Sequence, residues 1–230
     1  MEGYLMEIER AFIIYDSEHL ASLIKTIKKM GFILSYSASQ LNYYLDFPNF
    51  LLFNNKQNFR FRYNFKIEYT HFQDIKSTGE FVDGEISLSK IMFDKYSQNE
   101  IREQISIKMT DKPQLELFFE LMGKVGFINS YFLMKDRELY TFSGKLPDNN
   151  EIHFEIDTNI KIGKYPKTED LIHLQDTFQI CIETENIKEY NNEKFNQIMN
   201  KLEFTPDEIL KSKDYKERME ERIKEIKGEN

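Results

Sequence analysis

Hydrophobic and polar residues alternate along most of this chain, and the alternation marks eight strand-like segments. In order they are LMEIERAFII, SQLNYYLDF, NFRFRYNFKIEY, GEISLSKIM, REQISIKM, NSYFLMKDRELYTF, EIHFEIDTNI and TFQICIETE. A period of two residues is typical of β-strands that have one apolar and one polar face. These segments predict an antiparallel sheet or barrel.

Other stretches repeat at the helical period. SEHLASLIKTIKKM opens with a capping Ser17 and ends at a glycine, and KPQLELFFELMGKVG has Pro113 in its first turn. EKFNQIMNKL and a segment that starts at Pro206 predict a helical carboxyl-terminal part from about residue 191. Because no Gly/Ser-rich linker interrupts the chain, the sequence predicts one domain over residues 1–230.

The charged residues of each predicted strand share one face. The polar sets are Glu7 with Glu9; Arg60 with Arg62; Arg102 with Gln104, Ser106 and Lys108; Lys135 with Arg137; Glu151 with His153, Glu155 and Asp157; and Gln179 with Cys181, Glu183 and Glu185. On a half-exposed sheet these faces would contact solvent. The amphipathic helices must cover the bulky apolar faces, however, so the charged faces point inward if the sheet closes. We therefore predict an α+β fold: an eight-stranded antiparallel closed β-barrel, or tunnel, with helices packed outside.

The charges are also sorted by sign along the chain. The first strand and the last two strands are acidic, whereas the strands that contain FRFR and MKDR are basic. Carboxylate oxygens are the ligands that Mg2+ and Mn2+ prefer, and Arg and Lys neutralise phosphate oxygens. A lumen with both kinds of wall predicts a small polyanionic ligand that binds together with divalent cations.

Composition narrows the class of protein further. The 31 Lys and Arg residues against 39 Asp and Glu, a net charge of −8, argue against a partner that is duplex nucleic acid. No apolar run reaches the ~20 residues of a membrane-spanning helix, so no membrane partner is expected. The single cysteine, Cys181, excludes an intrachain disulfide. Together with the lack of a secretory signal pattern, it favours a cytoplasmic protein.

Seven motifs follow one another along the chain: EIERAF, QLNYYLDFPNFLLFNNKQNFRFRY, REQISIKM, FLMKDRELY, FEID, ICIETEN and KSKDY. In this series the chain resembles the CYTH superfamily, also called triphosphate tunnel metalloenzymes, which includes thiamine triphosphatase, inorganic triphosphatases and class IV adenylyl cyclases. The first motif is similar to the family's E-x-E-x-K strand, and the second to its Q-x-N-Y-Y-x-D-T-P stretch followed by L-R-x-R. The resemblance implies a divergent member with the family's eight-stranded tunnel.

The resemblance also implies roles for individual residues. Metal ions, Mg2+ or Mn2+, would be held by acidic residues of the first and last strands: Glu7, Glu9, Glu183 and Glu185. The triphosphate would be held by Arg60, Arg62, Lys90 (or Lys66), Arg102, Lys135, Arg137 and a tail lysine, Lys211 or Lys213. The catalytic group would be Glu7 and Glu9, with Glu185 or Asp157 orienting the attacking water. These roles predict a metal-dependent hydrolase of inorganic triphosphate, a nucleoside triphosphate or thiamine triphosphate.

The sequence departs from the family pattern at four positions. The signature lysine is Ala11, two glutamates of the R-x-E-x-E strand are Gln104 and Ser106, and a glutamate of the E-I-E-x-E strand is Cys181. Each change removes a phosphate or metal contact. A second hypothesis is therefore a catalytically weakened protein that binds or senses a nucleotide or polyphosphate, and a third is a class IV-like adenylyl cyclase. His153, on the acidic face, is either a metal ligand or a hydrogen-bonding residue, and we expect a monomer or homodimer.

Overall fold

An antiparallel sheet and a few helices form the part of the chain that the computed structural model describes, namely residues 4–68, 76–93, 100–142, 152–163, 172–174, 177–184, 197–198, 200–202 and 204. The strands are β1 (Tyr4–Ile14), β2 (Phe32–Asp46), β3 (Gln57–Glu68), β4 (Lys76–Phe93), β5 (Glu100–Met109), β6 (Ile128–Phe142), β7 (Ile152–Gly163), β8 (Ile172–His173) and β9 (Phe178–Thr184). The helices are α1 (Ser17–Lys29), α2 (Leu51–Asn54) and α3 (Lys112–Lys124). The prediction of an α+β fold built on antiparallel strands is confirmed. Within the described ranges, no helix is long and apolar enough to cross a bilayer.

The strand order of the sheet brings distant parts of the chain together. It runs β6-β2-β3-β4-β5-β1-β9-β7-β8, and β6 pairs with β7 as well as with β2. The β6–β7 ladder extends from Phe132 opposite Gly163 to Thr141 opposite His153. Each of these strands except the short β8 is therefore hydrogen-bonded to a neighbour on both sides.

Helix α1 packs against the apolar faces of β1, β6, β7 and β9. Its N-cap is Asp16, one residue before the predicted Ser17, and the Asp16 carboxylate accepts a hydrogen bond from the Glu18 amide at 2.8 Å. Its buried face meets apolar side chains from the strands and from the far end of the chain: Leu20, Leu23, Ile24 and Ile27 with Phe12, Phe154, Ile182 and Leu202. These apolar faces point toward the helix, so the alternate, charged faces of the same strands point away from it.

Helix α3 covers β2, β3 and β4 in the same way. The Asp111 carboxylate caps the helix by accepting from the Gln114 amide at 3.2 Å, and Pro113 lies in the first turn, where a missing amide hydrogen costs nothing. Leu115 is fully buried in a cluster with Phe61 and other apolar residues of the strands. The arginines that alternate with these aromatic residues on β3 consequently lie on the opposite face.

The turn between β2 and β3 is held by Asp46, whose side chain is almost fully buried. One carboxylate oxygen accepts from the amides of Phe47 and Leu52, at 2.7 and 2.9 Å, and the other accepts from Phe53 at 2.9 Å. These bonds satisfy amides of the short helix α2, which would otherwise have no partner within the helix. Asp46 therefore fixes the point at which the arginine-bearing strand begins.

A third apolar cluster lies on the same strand faces as the charged residues. It contains Ile13, Tyr131, Leu133, Ile160, Ile162 and Leu174, and we call it the apolar plug. Ile13 shares a face with Glu9, and Leu133 shares a face with Lys135, so the plug lies between the charged walls. It joins β1 to β6, which are not neighbours in the sheet. One extra residue on β7 near Asn159, where φ is 50°, reverses the face and points Ile160 inward.

We predict that Gly84→Ala disturbs the packing of α3 on the sheet. A Cβ atom at Gly84 would lie 2.3 Å from Leu115 Cδ2 and 2.8 Å from the carbonyl oxygen of Arg62. Overpacking of this kind costs about 1–3 kcal/mol of the free energy of unfolding, measurable by urea denaturation followed by circular dichroism. The control is Gly123→Ala in α3, where no atom lies within 4 Å and a gain of about 0.5–1 kcal/mol is expected. Equal stabilities for the two variants would contradict the close contact.

Candidate functional site

A cavity of about 330 Å³ lies between the charged faces of the strands. Six cationic and four acidic side chains line it: Arg60, Arg62, Arg102, Lys108, Lys135 and Arg137, with Glu9, Glu85, Glu155 and Glu183. The lining therefore carries more positive than negative groups, although the whole chain has a net charge of −8. The volume suits a small molecule, and the charge suits an anion.

The structure brings most of the sequence-predicted site residues together. Seven of them line the cavity: Glu9, Arg60, Arg62, Arg102, Lys135, Arg137 and Glu183. Glu7 belongs to β1 and pairs with Arg102 in the ladder, but its side chain is not among those described. Three further predicted residues lie outside the described residues: Glu185, Lys211 and Lys213.

Two predicted phosphate ligands do not belong to the cavity. Lys90 is exposed and lies on the opposite face of β4 from Ser89, which lines the cavity. Lys66, the alternative, is also exposed and pairs with Glu80 at 3.5 Å. The order of motifs selected Lys90, whereas the alternation of side chains along β4 places it outside.

Asp157 is fully buried beside the cavity and binds two of its cations. Its carboxylate accepts from Lys135 Nζ at 2.6 Å and from Arg137 Nε and Nη2 at 2.7 and 2.8 Å. Burial raises the pKa of Asp157, but the charges of Arg137 and Lys135 outweigh it and hold the pKa well below its usual value. Because both oxygens accept bonds from cations, the geometry favours a positioning role for Asp157 over the predicted role of orienting water.

Lys135 is the other half of this buried arrangement. Burial, and then repulsion from Arg137, lower the pKa of Lys135 to about 8, although Asp157 opposes the change. Arg137 in addition pairs with Glu155 across the β6–β7 ladder. The two cations are therefore held in fixed directions by two carboxylates of β7.

On β3, the two cavity arginines differ in their partners. Arg60 Nη2 pairs with Glu85 Oε1 at 2.5 Å. Burial raises the pKa of Glu85, but Arg60 and then Arg62 lower it to about 2. Arg62 Nε donates to Asn42 Oδ1 at 3.0 Å, and Arg62 forms no ion pair with any described residue. Burial, Arg60 and Arg137 lower the pKa of Arg62, so an incoming anion would stabilise its charged form.

Sequence reasoning did not select Glu85 or Asn42. Both lie on the polar faces of segments that were correctly assigned as strands, GEISLSKIM and SQLNYYLDF. The alternation of side chains could have identified them. Glu85 lies on the same face of β4 as Ser89, and Asn42 lies on the same face of β2 as Gln40. Their role depends on the register between β2, β3 and β4, which pairs Asn42 with Arg62 and Arg62 with Glu85.

Strands β1, β7 and β9 carry groups that could hold a metal ion. Donor atoms of Glu9, Cys181 and Glu183 lie within 4.8 Å of one another, as do those of His153, Glu155 and Glu183. His153 Nε2 lies 2.9 Å from Glu183 Oε2, so the residue is hydrogen-bonded and also within reach of a shared ion. Carboxylate, imidazole and thiol donors fit a divalent cation.

Each of these donors already has a protein partner, and those of Glu9 and Cys181 bear on metal binding. Arg102 Nη2 pairs with Glu9 Oε2 at 2.5 Å, and Cys181 Sγ donates to Glu9 Oε1 at 3.3 Å. Burial, and then the negative charges of Glu9 and Glu183, raise the pKa of Cys181 well above its usual value. The thiol is therefore neutral in the protein alone and would lose its proton only to a strong competitor such as a metal ion.

No family model and no curated protein matches the sequence. Among solved structures, the PH1819 protein from Pyrococcus horikoshii aligns with 93% of this chain and 99% of its own, at 15% identity and a TM-score of 0.59. A candidate adenylate cyclase from Vibrio parahaemolyticus aligns with 95% of this chain and 99% of its own, at 10% identity and a TM-score of 0.57. The chain therefore shares its overall fold with these structures, as the resemblance to the CYTH superfamily predicts.

HpAC1 from Hippeastrum shares this CYTH-like fold as well. It is a candidate adenylyl cyclase described as having a dominant triphosphatase activity, and it aligns at 10% identity and a TM-score of 0.54. The alignment covers 94% of this chain and 96% of HpAC1. The likeness therefore extends over most of the fold.

We predict that Asp157→Asn destabilises the protein strongly. The substitution removes the negative charge from a fully buried group and leaves Lys135 and Arg137 without their shared partner. Breaking a buried ion pair costs about 3–5 kcal/mol of the free energy of unfolding, measurable by chemical denaturation. The control is Glu116→Gln, which breaks an exposed pair with Lys112 and is expected to cost less than about 1 kcal/mol. Similar losses for both variants would show that Asp157 does not hold these cations.

Proposed function

We propose that this protein binds a triphosphate-containing compound in the cavity and hydrolyses it with the help of a divalent cation. The observation that carries the proposal is one cavity that combines guanidinium and ammonium groups of β3 and β6 with metal-type donors of β1, β7 and β9. A polyphosphate bridged by a cation presents the complementary charges. The activity described for HpAC1, which shares the fold, supports the same substrate class.

The proposal includes a closed eight-stranded tunnel as the form of this cavity. Its support is the pairing of β6 with both β2 and β7, together with the apolar plug that connects β1 and β6 across the interior. Tyr44 and Tyr131 stack at 4.3 Å between ring centroids beside the plug, and both line the cavity. A ligand would consequently enter from the end opposite the plug.

Each wall has a distinct task in this proposal. Arg62 receives the phosphate oxygens first, and Arg60 and Lys135 neutralise the neighbouring phosphate groups. Asp157 keeps Lys135 and Arg137 pointed into the cavity, so little reorganisation is needed when the anion arrives. A divalent cation held by the donors of β1, β7 and β9 would neutralise further negative charge at the phosphoryl group. We propose Glu7 and Glu185 as additional acidic residues and Mg2+ or Mn2+ as the ion expected from the resemblance.

The second candidate function is binding of a nucleotide or polyphosphate without turnover. It is favoured by Ala11, which stands opposite Cys181 in the β1–β9 ladder where the family pattern has a lysine. Pairing of Glu9 with Arg102 also neutralises one of the proposed metal ligands. In this case the cavity would retain affinity for the anion while the transition state lacks charge stabilisation.

We predict that Arg62→Gln weakens binding of inorganic tripolyphosphate by at least about 10-fold, because a charged hydrogen bond contributes about 1.5–3 kcal/mol. Isothermal titration calorimetry with the full-length protein measures this. Lys90→Gln removes the same charge from the outer face of β4 and serves as the matched control, with unchanged affinity expected. A loss of affinity in Lys90→Gln equal to that in Arg62→Gln would place binding outside the cavity.

The hydrolysis step is tested by phosphate release from tripolyphosphate, ATP and thiamine triphosphate with Mg2+ or Mn2+. We expect Ala11→Lys to raise the rate by at least about 10-fold, because one preorganised cation at the reacting phosphate is worth that much or more. Ala11→Met, which adds a chain of similar length without charge, is the control and should not raise the rate. Tight tripolyphosphate binding with no phosphate release in either the native protein or Ala11→Lys would support the second candidate function.

A further inference from the structure

The metal-type donors in and beside this cavity are of three chemical kinds: carboxylate, thiol and imidazole. The register of the sheet brings them together. Glu9, Glu183 and His153 stand on one rung across β1, β9 and β7, and Ala11, Cys181 and Glu155 stand two residues away on the same faces. Three strands thus place a carboxylate, a thiol and an imidazole side by side. Ala11, which lies directly opposite Cys181 on β1, has a short side chain with no donor atom.

Gln179 provides an independent sign that this wall receives a ligand. It is next on the same face of β9, is only 1% exposed and lines the cavity. Its Nε2 donates to Cys181 Sγ at 2.8 Å, whereas its buried Oε1 accepts no hydrogen bond from the described residues. Buried amide oxygens nearly always have a partner, so this atom is available to a bound ion or to a group that the ion carries.

The partners of the two flanking carboxylates argue against a hard ion at this place. Glu9 is paired with Arg102, and Glu155 is paired with Arg137, so the positive charges already compensate both. Mg2+ requires near-octahedral oxygen coordination at 2.0–2.1 Å, and oxygen donors without a competing cation are few here. A thiol and an imidazole are instead the donors that Zn2+ binds, usually in a tetrahedron.

Two groups of donor atoms lie close together on these strands, and both contain Glu183. Ligand atoms on a tetrahedral zinc ion lie roughly 3.3–3.8 Å apart, as follows from bond lengths of about 2.0–2.3 Å. The donors of Glu9, Cys181 and Glu183 already lie within 4.8 Å of one another, and His153 Nε2 is 2.9 Å from Glu183. Cys181 and His153 belong to different groups, so an ion bound by both requires their side chains to turn toward each other beside Glu183.

We propose that this wall binds a zinc-type transition-metal ion through Cys181, His153 and Glu183, in preference to the Mg2+ or Mn2+ expected from the resemblance. The inference deepens the proposed function and rests on it, because the same ion would face the phosphate-binding arginines. The thiolate ligand replaces a carboxylate of the family pattern. The presence of Cys181 in place of a carboxylate therefore shifts the preference of the site from Mg2+ or Mn2+ to a zinc-type ion.

Cobalt spectroscopy of the full-length protein, freed of metal with a chelator, tests this proposal. We expect Co2+ to produce a thiolate-to-metal charge-transfer band in the near ultraviolet and intense visible bands of tetrahedral coordination, both removed by added Zn2+. Because the chain has one cysteine, such a charge-transfer band can only come from Cys181. By calorimetry, Zn2+ should bind at least about 100-fold more tightly than Mg2+, as the ligand preferences imply.

Single substitutions test whether Cys181 and His153 bind the ion. Cys181→Ser should abolish the charge-transfer band, and His153→Gln should keep the band but weaken Zn2+ binding by at least about 10-fold. His173→Gln, which changes an exposed histidine of β8, is the matched control and should bind Zn2+ normally. If Cys181→Ser does not fold, the charge-transfer band of the native protein and the Zn2+ affinity of His153→Gln still decide the outcome.

The results that overturn the proposal differ from those that overturn the proposed function. Co2+ binding without a charge-transfer band, or equal affinities for Zn2+ and Mg2+, would refute the zinc-type site. Hydrolysis with Mg2+ in such a protein would leave the proposed function intact. Conversely, the band together with no binding of tripolyphosphate would uphold the metal site and refute the proposed function.

Discussion

The need to pair buried charges is the constraint on which this structure depends. Charged side chains occupy the inward faces of at least six strands, and an unpaired ion there would cost several kcal/mol. The protein meets this cost at three carboxylates by pairing them with cations of a neighbouring strand: Asp157 with Lys135 and Arg137, Glu85 with Arg60, and Glu9 with Arg102. These pairs fix the direction of the cations, so the ligand-binding geometry and the stability of the fold have a common origin.

The apolar residues make this charged interior possible in two ways. On the outside, α1 and α3 cover the apolar faces of the strands, and burial of Phe12, Phe61 and their neighbours supplies the main driving force for folding. On the inside, the apolar plug fills the region between β1 and β6, where a further set of charges would have no partner. Water is thereby excluded from one side of the cavity, and the ion pairs beside it are strengthened.

Much of this arrangement follows from local sequence, and the rest from strand register. Spacing by two residues places Arg60 beside Arg62 and Lys135 beside Arg137 on shared faces, so these cavity residues were predictable from alternation alone. Lys90 was selected by the order of the motifs, although alternation along β4 places its side chain on the exposed outer face. The plug was missed because an extra residue near Asn159 reverses the faces of β7, and no local pattern signals that.

Register also decides which cavity group an anion can reach. Arg60 and Arg137 are already bound to carboxylates. A phosphate oxygen must therefore compete with Glu85 or Asp157 for the N–H groups of these arginines. Among the described residues, Arg62 is bonded only to the neutral Asn42, and burial together with repulsion from Arg60 and Arg137 lowers its pKa. An anion placed between the three guanidinium groups relieves that repulsion without breaking an ion pair. In the proposed function, this electrostatic network would direct the polyanion to Arg62, within the same cavity as Glu183 of β9.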